Sequence, residues 1–162
     1  MGSKSSANGT IRARSSLTDY LLDTNVVSEL VRPDPNANVI AWVRAGDETS
    51  YYLSVLTFGE IRRGIERLPQ GPRRERLRLW LEVDLTDRFK GRILEIDRRV
   101  AEIWGMIMVR GAAASVRLPT IDTLIAATAE RHGMVVATRN LRDFAFAATA
   151  AVSPWFAGNV NS

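Results

Sequence analysis

Short apolar runs punctuate the chain, and longer stretches with apolar residues three or four apart lie between them. Tyr20–Leu22 ends at Asp23 and reads as a buried strand, with a helix beginning at Thr24 and Asn25. Pro33 and Pro35 break the next stretch. Residues 36–45 then place Val39, Ile40 and Val43 at helical spacing, and Gly46 is a natural stop. Tyr51–Ser54 predicts a second strand. Phe58, Ile61, Ile65 and Leu68 follow on one helical face, which ends before Pro69. Pro72 opens another helix, marked by Leu77, Trp80 and Leu81. Residues 93–96 read as a short strand. Val100, Ile103, Trp104 and Ile107 predict a longer helix ending near Gly111. Ile121, Leu124, Ile125 and Ala129 mark a helix that starts after Pro119 and stops at Gly133. Residues 135–138 form a clear strand, and Ala151–Val152 is one more.

Strands alternating with helices argue for a parallel sheet covered by helices, an α/β fold. No repeat and no shift in composition divides the chain, and 162 residues suffice for one core. Residues 1–18 are rich in Ser, Gly, Asn and Arg and read as a disordered leader or cloning remnant. The folded domain is expected over 19–157, with a tail at 158–162. No apolar run approaches a membrane span, and the start carries no secretory pattern, so a cytoplasmic protein is expected.

Composition narrows the chemistry. The absence of cysteine removes disulfides, thiol nucleophiles and cysteine-ligated metals. A single histidine, His132, removes zinc sites built on several imidazoles; its place at a helix end suits a terminal cation or hydrogen-bonding role. Gly-rich nucleotide motifs fail as well: Gly59 and Gly64 have the P-loop spacing, but Ile65 stands where Lys is needed. The net charge of +4 is local in origin. Between 62 and 78 seven arginines face only Glu66 and Glu75. Such a stripe suits a polyanion, with Arg62, Arg63 and Arg67 the contacts proposed; the plain alternative is a solvated helix face.

Carboxylates recur at the ends of elements. Asp23 closes the first strand, Glu60 lies early in the helix after Ser54, and Asp122 opens the helix after Pro119. Asp143 lies just beyond the strand ending at Thr138. Each has a bland reading: a helix cap for Asp23, dipole compensation for Glu60 and Asp122, a turn for Asp143. Asp97, before a helix, reads as a cap only. If the helices cross one sheet edge, three or four of these acids converge. Converging carboxylates repel one another, and a hard divalent cation such as Mg²⁺ or Mn²⁺ resolves that repulsion with oxygen ligands alone.

Four blocks carry a resemblance: residues 22–30, LDTNVVSEL; 54–61, SVLTFGEI; 121–129, IDTLIAATA; and 138–144, TRNLRDF. Together, and in this order, they resemble the PIN-domain family, and most nearly the VapC-type toxins of type II toxin–antitoxin systems in the FitB-like branch. The resemblance implies a three-layer α/β/α sandwich with a central, mostly parallel sheet. It implies an endoribonuclease dependent on Mg²⁺ or Mn²⁺. Asp23 and Asp122 would be the principal metal ligands and Glu60 would complete the set. Thr24, Asn25, Thr138 and Asn140 would orient ligands or phosphate. Many family members carry a fourth acid near the last block, where this chain offers Asn140 or Asp143. A homodimer and a cognate VapB-like antitoxin are implied as partners of the toxin, with RNA as substrate. The alternative is a non-catalytic PIN-like module that binds antitoxin or nucleic acid without cleavage, suggested by Asn140 in place of an acid.

Overall fold

The structure, a computed structural model, describes residues 17–156. The expected leader, except Leu17 and Thr18, and the expected tail lie outside the described residues. Five parallel strands form the sheet: β1 Tyr20–Leu22, β2 Tyr51–Ser54, β3 Ile93–Leu94, β4 Val135–Ala137 and β5 Ala151–Val152, in the order β3-β2-β1-β4-β5. Tyr20 pairs with Tyr51 on one side and Val135 on the other. The helices are α1 Thr24–Glu29, α2 Ala37–Ala45, α3 Val55–Glu66, α4 Pro72–Leu79, α5 Thr86–Arg88, α6 Arg98–Ala113 and α7 Thr120–His132.

Alternation along the strands builds three layers. In β1, Tyr20 and Leu22 face one core and Leu21 faces the other. The first core gathers Val26, Val39, Trp42, Ile61, Ile65 and Leu85 from α1 to α4 and the helical segment beyond. The second gathers Val100, Ile107, Ile125 and Phe144 around α6 and α7. The sandwich expected from the sequence is the fold observed.

Between α4 and α5 the helix widens into π turns over Trp80–Leu85. The sequence suggests the reason. Leu77, Leu81, Leu85 and Phe89 repeat every four residues, and all pack on the first core. Such a repeat drifts by roughly 40° per step on 3.6-residue turns. Wider π turns take back part of that drift and hold Leu81, Leu85 and Phe89 inward. Helix ends follow local chemistry. Asp97 caps α6 by accepting from the Val100 N–H at 2.9 Å, as expected. Gly133 ends α7 in the left-handed conformation, φ 64°.

The chain turns from β1 to one side of the sheet and returns to its other side at β4. This switch opens a crevice outside the carboxyl ends of β1 and β4, where open α/β sheets bind ligands. Asp23 follows β1 and Thr138 follows β4, so both stand at its mouth.

Candidate active site

Asp23 is tied from every side. Its backbone N–H donates to Ala137 O at 2.9 Å, which seals β1 against β4. Its Oδ1 accepts from the Thr24 N–H at 2.8 Å. Its Oδ2 accepts from Thr138 Oγ1 at 2.8 Å and from Asn25 Nδ2 at 3.2 Å. Asp23 is thus the N-cap of α1, as its plain reading had it, and the same carboxylate is held at the crevice by residues just after β4 and in α1. Burial raises this carboxyl's pKa above the ordinary aspartate range. The bonds from Thr138 and Thr24 oppose that rise, and the charges of Glu60 and Asp143 add to it.

The neighbours of Asp23 are fixed in turn. Asn25 donates to Asp23 and accepts the Arg139 N–H at 3.2 Å, which sets the orientation of its amide. Thr138 Oγ1 accepts the Asn140 N–H at 3.0 Å, so its own proton points at Asp23. The part of Asn140 that joins the network is thus its backbone. Thr24 Oγ1 donates to Glu60 Oε1 at 2.6 Å and lies 3.2 Å from the Thr57 hydroxyl. Thr57, fully buried one turn before Glu60, escaped the sequence reading; its i, i+3 spacing from Glu60 was the available signal.

Asp122, in the first turn of α7, meets the opposite circumstances. It is half-buried, and its pKa is pushed up to about 7. Burial is the largest cause. The charges of Asp23 and Asp143 follow, then a hydrogen bond with the Asp143 carboxyl, then the charge of Glu60. Asp143 sits on the 3₁₀ turn Leu141–Phe144, and it is this acid that faces Asp122. Four carboxylates from four elements therefore act on one another across the mouth of β1 and β4. Among the described residues they do not stand as a preformed set of three metal ligands. The donor set is all oxygen and mutually repelling, which is the chemistry that fits a hard divalent cation.

The Arg-rich stretch lies farther along α3 and on α4. Arg62 pairs with Glu82 at 2.8 Å and with Glu66 at 3.8 Å. Arg74 pairs with Glu66, and Arg78 with Glu75 and Glu82. Arg63 and Arg67 are exposed and form no ion pair among the described residues, and they continue the face of α3 that carries Glu60.

The PIN domain family model matches residues 20–151. The chain belongs to the PIN domain family. Among PIN-family relatives, Toxin FitB of Neisseria gonorrhoeae is 39% identical over 135 residues, 83% of this chain and 97% of that protein. VapC ribonuclease Y4jK of Sinorhizobium fredii is 35% identical over 135 residues, 83% of this chain and 96% of that one. The solved structure of FitAB bound to an IR36 DNA fragment superposes with a TM-score of 0.80 at 39% identity. It covers 85% of this chain and 96% of that one. The family and the FitB-like likeness read from the four blocks thus hold, and the PIN fold accounts for the strand order found here.

Proposed function

We propose that this PIN-domain protein is the toxin of a type II toxin–antitoxin pair and an endoribonuclease that hydrolyses RNA phosphodiester bonds with a divalent metal. The observation that carries the reading is Asp122, raised to about 7 by burial and by Asp23, Asp143 and Glu60 around it. Such a carboxyl is fully ionised at neutral pH only if positive charge joins the group. The names of the relatives, a toxin and a ribonuclease, support the same reading.

Asp23 and Asp122 would hold Mg²⁺ or Mn²⁺, with Glu60 and Asp143 completing the negative group. When bound, such an ion polarises a phosphoryl oxygen and lowers the pKa of a coordinated water. The chain's own residues prepare for it. Thr138, Asn25 and the Thr24 N–H keep Asp23 in one orientation. Thr24 holds Glu60. Asp122, its pKa raised by burial and by its acidic neighbours, must be ionised to take part. An antitoxin partner is proposed from the relatives, among them the solved FitAB complex, and a homodimer from the family resemblance alone. Against the non-catalytic alternative, suggested by Asn140 in place of an acid, stands the charge of Asp143 acting on Asp122.

The test is cleavage of total cellular RNA by the purified chain with Mg²⁺, Mn²⁺ or EDTA, with Asp122→Asn beside it. Discrete metal-dependent products, absent from the variant, are expected. A folded chain that cleaves nothing under any condition would overturn the reading.

A further inference from the structure

We infer that Arg139, stacked on Trp155, is a positioning residue for the RNA: its guanidinium holds a backbone phosphate beside the one presented to the acids. The inference rests on the nuclease reading above. Arg139 directly follows Thr138, whose hydroxyl holds Asp23. Its N–H donates to Asn25 Oδ1 at 3.2 Å, and the Asn25 amide donates to Asp23 Oδ2 at 3.2 Å. The root of this side chain is therefore fixed two hydrogen bonds from the acidic group. The guanidinium carbon lies 5.6 Å from the centroid of the Trp155 ring. That ring is half-buried against the first core, and the Trp155 carbonyl accepts from Asn38 Nδ2 at 2.9 Å.

The arrangement has a physical purpose. Four acids at one cleft repel a polyanion, so neighbouring phosphates need a cation at the rim. Many arginines are already engaged: Arg32 with Glu29, Arg62 with Glu66 and Glu82, Arg88 with Glu48, Arg110 with Glu130. Arg139 is exposed and makes no ion pair among the described residues. An indole engages the flat face of a guanidinium and leaves its N–H edge open, which suits a phosphate. Arg142 shares the turn with Asp143 and is exposed, but no ring lies under it among the described residues. Basic groups interleaved with aromatic rings are how single strands are held.

The test measures binding of a fluorescent single-stranded RNA of about ten nucleotides across a salt series, with Mg²⁺ and Asp122→Asn as parent so that the RNA stays intact. Arg139→Ala is expected to weaken binding by about five- to ten-fold and to flatten the slope of log K against log salt by about 0.7. Arg139→Lys should keep the slope and recover part of the affinity. Trp155→Leu keeps an apolar contact, and is expected to cost roughly two- to three-fold with the slope unchanged. Arg44→Ala, at the opposite end of the sheet near the start of β2, should match the parent. In the cleaving chain, Arg139→Ala should raise KM and leave kcat in place.

Equal losses in Arg44→Ala and Arg139→Ala would overturn the inference in favour of bulk charge. An unchanged Arg139→Ala, with RNA still cut by the native chain, would overturn the inference alone. If that same variant bound a poly-glutamate peptide more weakly than the parent, the pair would pass to an acidic protein partner. A parent that binds no RNA, together with a native chain that cuts none, would overturn the inference and the nuclease reading together.

Discussion

Two charged regions of the molecule are built on opposite rules. Along α3, α4 and the π turns, arginines and glutamates interleave: Arg62, Arg74 and Arg78 are matched to Glu66, Glu75 and Glu82. These groups are solvated, and such pairs contribute little to stability individually. At the mouth of β1 and β4, Asp23, Glu60, Asp122 and Asp143 oppose one another. In the first region these three arginines are paired, while Arg63 and Arg67 form no ion pair among the described residues. The second costs stability, and such a cost persists where a site uses it.

Asp122→Asn gives the sharpest form of the contrast. It should lower RNA cleavage by on the order of 10³-fold. Yet in EDTA at pH 8 it should raise the midpoint of thermal unfolding, because it removes a repelled charge. A variant that lost activity and stability together would break the comparison. Thr138→Val comes next. It strips a buried donor from Asp23, and about 10- to 100-fold in activity or metal affinity should go with it.

A pH series on metal-free protein follows. The Asp122 pKa is about 7 in the folded chain, against an ordinary value of 3.8. Between those values the folded state holds more protons than the unfolded one, so stability is full below about pH 4 and falls as pH rises through 7. With allowance for solvent screening of a half-exposed group, the loss is on the order of 1–2 kcal/mol. Denaturant melts from pH 4 to 8 read it directly, and Mg²⁺ should restore most of the loss at pH 8. The smallest effect is expected from Glu82→Gln, which frees Arg62 and Arg78 at the surface. The thermal midpoint should barely move, while RNA affinity at low salt should rise slightly.

Much of this was legible in the chain. The runs at 20–22, 51–54 and 135–137 sit between helices of plain periodicity, and the parallel sheet follows from that alternation. The acids at 23 and 122 stand at element ends and Glu60 in the middle of α3, and the sheet gathers them. What escaped depends on tertiary geometry. That Asp143 acts on Asp122 depends on a single 3₁₀ turn, whose direction local spacing does not specify. The pairing of Arg62 with Glu82 escaped as well, because Glu82 lies outside the stripe and reaches Arg62 only once α4 packs beside α3. The helix expected to end near Gly111 runs to Ala113, so Gly111 lies in its last turn. A Cβ there would meet Leu118 Cδ1 at 2.6 Å, so this glycine serves the close approach of that leucine.

The bond from Thr138 to Asp23 spans 115 positions of the chain. During synthesis from the N-terminus, Asp23, Thr24 and Glu60 emerge early, with no Thr138 to orient the first and no Asp122 or Asp143 to oppose it. The acidic mouth is assembled only when β4 docks beside β1, after more than four fifths of the 162 residues have been made. A growing chain thereby carries no assembled acidic mouth until it is nearly finished.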